Sequence, residues 1–236
     1  MKLKQKLQFI PNILDLIFPI YCIGCGKEKE YLCALCGYKL PRLTAQKCVK
    51  CSLPSPFGKT HPECASKNVI DGIISALDYN HPAVKESIRI YKYKFIESMS
   101  TRLAGFIIEA IQNQNLAEYF TEFKIIPVPL HRDRFMWRGF NQSEQIAQIL
   151  SDQLSISVDP KAIMRTINTK PQAKLSLEQR KKNIDKAFKI NSFLTIHDKY
   201  LLVDDVAASG ATLNEMAKTL KASGAKEIWA ATIARG

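Results

Sequence analysis

The sequence predicts an α/β protein, a domain with a mostly parallel sheet and a small cysteine-rich module in front of it in the chain. Short apolar runs at 73–79, 123–130 and 201–203 alternate with segments of helical periodicity, as strands and crossover helices do in a parallel sheet. All seven cysteines lie between positions 22 and 64, in Cys-x-x-Cys and His-x-x-Cys spacings. Ordinary α/β composition begins only at Asp71.

With 236 residues, the chain has room for one large domain and a small module, and 46% hydrophobic residues exclude a disordered chain. Lys and Arg (34) exceed Asp and Glu (22), a formal charge of +12 that favours polyanionic partners: nucleic acid, acidic membrane or highly charged small anions. An odd, clustered set of cysteines fits metal ligation in a reducing compartment better than a disulfide framework. We expect a cytoplasmic protein. Residues 1–21 read as an amphipathic lead-in with Leu14, Ile17 and Phe18 as a docking stripe. Lys2, Lys4 and Lys6 precede it as in a signal peptide, but Pro11, Asn12 and Asp15 interrupt the apolar run and no small-residue cleavage site follows. No run approaches the ~18 apolar residues of a membrane span.

Residues 22–68 form the expected metal module. Cys22, Cys25, Cys33 and Cys36 make two Cys-x-x-Cys turns, each letting two thiolates face one ion, which completes a tetrahedral structural zinc site. Cys48, Cys51, His61 and Cys64 would make a second, Cys₃His site, with His61 as neutral imidazole; interleaved pairing of the turns fits the spacing as well. Four protein ligands leave no open position, so both sites read as structural, with binding coupled to folding.

The domain expected at 69–236 opens with a strand at 73–79, then helices at 82–93 and at 98 to about 112. Lys92 and Lys94 interleave with Tyr91, Tyr93 and Phe95, a pattern compatible with single-stranded nucleic acid, although taken alone it fits a solvated helix end better. The strand at 123–130 runs into a loop carrying Arg132, Arg134 and Arg138, whose guanidinium forks match phosphate oxygens. Asn141 then caps a helix with an Ile146, Ile149, Leu150 stripe. From 165 to 189 the chain is rich in Lys, Arg and Gln; Gln172, Arg180, Lys181 and Lys182 fit a closing lid, a nucleic-acid groove or a plain solvated connection.

The most informative stretch is the last strand–loop–helix. Leu201 to Val203 form a buried strand, Asp204 and Asp205 follow, and then come Ala207, Ala208, Ser209, Gly210, Ala211 and Thr212 before a helix that ends at Gly224. A loop of small residues at a helix N-terminus lets backbone N–H groups approach a phosphate, and the helix dipole favours its charge. Two adjacent carboxylates would repel a bare phosphate. They make sense for a ligand that also offers hydroxyls or a metal ion, as a phosphorylated ribose does.

This loop resembles the phosphoribosyl pyrophosphate (PRPP) loop of type I phosphoribosyltransferases, with Ala208 where many active members carry Thr. The resemblance implies that the acids hold ribose hydroxyls, that the loop amides and hydroxyls hold the 5′-phosphate, that the arginine loop meets pyrophosphate, and that Mg²⁺ accompanies PRPP. The string from Pro127 to Gln142 (P-V-P-L-H-x-x-R-x-x-x-R-G-F-N-Q), with Arg165, Thr169, Gln172 and the close at Ala231–Arg235, is similar to the ComF family of competence proteins. That likeness implies a PRPP-binding factor in DNA uptake that handles single-stranded DNA, with Lys92, Lys94, Arg180, Lys181 and Lys182 as candidate contacts and other uptake proteins as partners. The alternatives are an active phosphoribosyltransferase of unknown acceptor, and a zinc-organised scaffold with a vestigial loop.

Overall fold

A computed structural model describes residues 20–93, 97–169, 179, 183–192 and 195–236. The chain divides into two compact units, Met1–Leu40 and Pro41–Gly236. The Leu14, Ile17, Phe18 stripe lies outside the described residues. Among those described, no helix is long and apolar enough to cross a membrane.

In the smaller unit the chain reverses twice. Gly26 takes a left-handed φ of 71° and donates its N–H to the Cys22 carbonyl at 2.9 Å, closing the first turn. Cys33 caps the short helix α1 (Ala34–Tyr38), whose last turn brings the Gly37 N–H to the Cys33 carbonyl. The second cysteine set, expected in one module with the first, lies in the larger unit.

That unit runs β1 (Gly72–Asp78), α2 (Pro82–Tyr93), α3 (Glu97–Asn113), α4 (Ala117–Phe120), β2 (Lys124–Pro127), α5 (Arg132–Arg138) and α6 (Gln142–Leu154). It continues with β3 (Ile163–Arg165), β4 (Phe188–Ile190), β5 (Lys199–Ala207), α7 (Ala211–Ala222) and β6 (Glu227–Arg235). Strands β1, β6, β5 and β2 form one sheet in that order, every pair parallel. The two central strands bury both faces, hence their continuous apolar runs. On one face Leu213, Met216, Ala217 and Leu220 of α7 pack with Ile126, Tyr200, Leu202, Ile228 and Ala230. Helices α3 and α6 lie on β1–β6 and on β5–β2, against the alternate residues that the pleat turns the other way. The β3–β4 ribbon is antiparallel and adds Ile163 and Phe188 to the α7 side.

The outer strand β1 has two devices that fix it. Gln46 exchanges two hydrogen bonds with the Ser75 backbone, each 3.0 Å, and the Leu43 N–H reaches the Ala76 carbonyl, so 43–46 cover the β1 edge. Gly72 faces the Trp229 ring so closely that a Cβ there would lie 2.5 Å from it.

Two expectations need correction. The arginine segment expected as a loop is helix α5: His131 Nδ1 accepts the Asp133 N–H at 3.3 Å, and Gly139, at φ 79°, closes the other end. No residue of α5 is buried, so the apolar stripe that reveals most helices is missing. Strand β5 also runs past Val203 through both aspartates to Ala207, because β6 supplies ladder partners as far as Arg235.

Candidate functional site

Parallel sheets of this kind open their ligand crevice at the C-terminal ends of the strands, and there β5 carries Asp204 and Asp205. Successive strand residues point to opposite sides, so the two carboxylates have different surroundings. Asp205 is buried. Its Oδ1 pairs with Lys92 Nζ at 3.0 Å, and its Oδ2 accepts from Gln142 Nε2 at 2.9 Å. Asp204 is mostly buried; its Oδ1 accepts from Ser143 Oγ at 3.1 Å and from the Asp205 N–H at 2.9 Å. Its Oδ2 has no hydrogen bond among the described residues and is free to accept from a ligand hydroxyl.

These surroundings set the charges. Burial first, then the neighbouring Asp205, push the Asp204 carboxyl up to about 7, against the opposing pull of Lys92. Burial alone would depress Lys92, but the attraction of Asp205 outweighs it and raises the ammonium above its ordinary value. Lys92, expected among the candidate DNA contacts, is therefore tied to the acid pair. It reaches the pair because Tyr91, beside it on α2, donates its hydroxyl to the Gln142 carbonyl at 2.8 Å and fixes α2 against the start of α6. Asn141, the expected cap of α6, accepts the Ser143 N–H and donates to the Val128 carbonyl, seating this terminus on β2.

Opposite the acids stand the arginines. Arg138 donates to Gln142 Oε1 at 2.6 Å, so one glutamine joins it to Asp205. Arg134 and Arg165 donate to the carbonyl and hydroxyl of the buried Thr169. Burial, then the charge of Arg134, lower Arg165 to about 10; burial, then Arg138, lower Arg134. Arg132, the third predicted arginine, is exposed. Three side-chain atoms are buried without a partner among the described residues: Arg138 Nε, Arg165 Nε and Ser209 Oγ. Two are cation donors and the third is the hydroxyl of the small-residue loop. Leaving such groups unpaired is costly.

The loop itself is compact. Ala207 ends β5, Ala208 and Ser209 turn the chain, and Gly210 at φ 68° precedes α7, which starts with Ala211 and Thr212. Gly210, at the N-cap, makes no side-chain cap hydrogen bond, and the positive end of the helix dipole faces the loop. A Cβ on Gly210 would lie 2.6 Å from Val49 Cγ2, which places the Cys48–Cys51 turn directly on the loop. Arg235 secures that turn by donating to the carbonyls of Lys47 and, at 2.7 Å, Cys48.

The eight predicted metal ligands fall into two sets without interleaving: Cys22, Cys25, Cys33, Cys36, and Cys48, Cys51, His61, Cys64. Ligand atoms in each set lie within 4.8 Å of one another. Cys25 and Cys33 sulfurs are 3.7 Å apart, close to the ~3.8 Å edge of a tetrahedron with Zn–S bonds of ~2.3 Å. His61 offers Nδ1 at 3.3 Å from Cys51 Sγ while Nε2 donates to the Pro54 carbonyl at 3.1 Å, the outer bond that fixes a ligating imidazole. Burial would raise Cys22 and Cys48, but backbone N–H groups bring both thiols down to about 6. In contrast, hydrogen bonds from Cys33 and Cys25 push Cys36 up to about 12, and burial with Cys51 and Cys48 pushes Cys64 to about 11. Sulfurs that oppose each other's ionisation this way fit a shared Zn²⁺, and four ligands make each site structural.

Of the other expected contacts, Lys94, Gln172, Arg180, Lys181 and Lys182 lie outside the described residues. Sequence reasoning did not assign Gln142, Ser143, Arg165 and Thr169 to the site, although Gln142, Arg165 and Thr169 stand in the strings that carry the family likeness.

Comparison with known families agrees at both ends of the chain. The phosphoribosyl transferase domain matches residues 141–236 and the double zinc ribbon domain matches residues 13–65. The class is thus a phosphoribosyltransferase fold joined to a double zinc ribbon. Competence protein F of Haemophilus influenzae is 32% identical over 91% of this chain and 90% of its own. DNA utilization protein YhgH of Escherichia coli K12 is 30% identical over 84% and 88%, and competence protein ComFC of Streptococcus pneumoniae 24% over 85% and 86%. The chain belongs to this competence protein F family.

Proposed function

We propose that the protein is a cytoplasmic competence factor that binds PRPP with Mg²⁺ and handles single-stranded DNA during uptake, together with other uptake proteins. The names of its relatives, competence protein F and DNA utilization protein, support the cellular role. One observation carries the ligand: an acid pair with an open carboxylate oxygen is joined through Gln142 to Arg138, and it lies at the end of the strand that leads into the small-residue loop. Ribose hydroxyls suit Asp204, the 5′-phosphate suits the Ser209–Thr212 amides, and pyrophosphate suits Arg134, Arg138 and Arg165. Mg²⁺ would neutralise the pyrophosphate. The +12 charge supports the polyanion.

A second reading, an active phosphoribosyltransferase, is favoured by the same arrangement, since acids beside the ribose would stabilise positive charge developing at the anomeric carbon. It requires an acceptor. Retained arginines whose Nε atoms, at Arg138 and Arg165, lack a partner among the described residues argue against a vestigial site.

Calorimetric titration of Mg²⁺–PRPP into the wild type and into the Asp204→Asn/Asp205→Asn variant tests the ligand, with released pyrophosphate assayed in the same samples. We expect binding in the wild type and loss in the variant. Pyrophosphate release on adding candidate acceptors would favour the enzyme. No binding to the wild type would sink the PRPP site.

A further inference from the structure

Helix α5 presents two different faces within seven residues. Arg134 and Arg138, four apart, turn to Thr169 and Gln142 and so to the anion site. The rest of the helix carries Phe135, Met136 and Trp137, exposed at 44%, 73% and 73%. Tyr93, at the end of α2 and 56% exposed, meets Trp137 edge-on with ring centroids 5.7 Å apart and planes at 80°. The Arg138 guanidinium lies 5.7 Å from the Tyr93 centroid. Packing does not explain these rings, because a tryptophan three-quarters exposed adds little to a core. An exposed pair of aromatic rings in contact, beside further exposed apolar side chains, marks a docking surface.

Its frame gives the chemistry of the occupant. Arg132, Arg134 and Arg138 share the helix, and its single acid, Asp133, is engaged by Asn168 at 2.7 Å. Cations around flat aromatic faces match a strand that carries phosphates on one side and unpaired bases on the other. A duplex hides its base faces, and a purely apolar protein partner would leave the exposed Arg132 unused. We propose that Trp137 and Tyr93 form a stacking platform for the unpaired bases of single-stranded DNA, with the exposed Arg132 meeting its phosphates. This rests on the single-stranded DNA reading above and names the surface that would perform it.

The two tryptophans allow a direct test, since Trp229 is 1% exposed and only Trp137 can meet a strand in solution. Oligothymidylate is titrated into the full chain while tryptophan emission and anisotropy of a labelled strand are followed. Stacking predicts quenching by the single strand and none by a duplex of equal length. Trp137→Ala and Tyr93→Ala should each weaken binding on the order of ten-fold, and Trp137→Phe should recover most of it; unchanged thermal unfolding checks the fold. Wild-type binding without quenching, and undiminished in Trp137→Ala, would overturn the platform while leaving the DNA reading intact. Absence of strand binding by the wild type would overturn both. If Trp137→Ala instead dissociates an oligomer of the DNA-free protein, the patch is a contact between copies and the platform falls.

Discussion

Asp204 and Asp205 are neighbours in sequence and opposites in environment. Asp205 is buried between Lys92 and Gln142, so it is a positioning group more than a ligand. Removing one partner of such a pair strands the other charge: Lys92→Met should cost about 3 kcal/mol in urea unfolding. Adding Asp205→Asn should restore most of it; equal losses in both variants would deny the coupling. Asp204 has its folded pKa raised to about 7, above the ~3.9 of an unfolded aspartate. The folded state therefore holds more protons than the unfolded state between these values, and the apoprotein should lose stability as pH rises from ~4 through 7. In Asp204→Asn this part of the slope in thermal midpoint against pH should vanish. An unchanged slope would assign it to other groups.

Among the elements, the loop between β5 and α7 is the most tightly specified. Gly210 needs a left-handed backbone and also lies against Val49, so two separate costs meet at one atom. Gly210→Ala should destabilise by about 1–2 kcal/mol from the backbone alone and more from the clash. Val49→Ala in the same chain should relieve only the clash, which a double-mutant cycle in urea reads out. This loop was legible in the sequence because small residues and a helix stripe each leave a local signal. Helix α5 was not, since it buries nothing and its ends rest on a histidine cap and a glycine. Lys92 was read as a solvent-facing cation beside aromatics; its partner is more than a hundred positions away, and such a pairing has no local signature. The Cys-x-x-Cys and His-x-x-Cys spacings revealed the ligands. That the second set would sit on the loop between β5 and α7 depended on Val49 and Arg235, residues with no distinguishing pattern around them.

For the whole molecule, that seat joins metal to ligand site within one unit. Each chain should carry two zinc ions, and Cys48→Ser should leave one, as a colorimetric thiol-release assay would count. Chelation should loosen 48–64 and, through Val49, lower hydrogen-exchange protection at 208–212. Protection retained at the loop after metal loss would show that packing alone holds it. The strand order has a consequence of its own. β6 follows every other strand in the sequence yet lies between β1 and β5, and β1 pairs only with it in the main sheet. Gly72 and Trp229, register partners in that pair, are separated by most of the larger unit's length. A chain emerging from the ribosome thus holds β1, an almost wholly buried strand, without its neighbour until nearly all of this sequence has been made. Contacts so distant close slowly and leave strand edges open to other chains. Nascent copies should therefore depend on chaperones, and slower translation through the second half would lengthen the time in which they can aggregate.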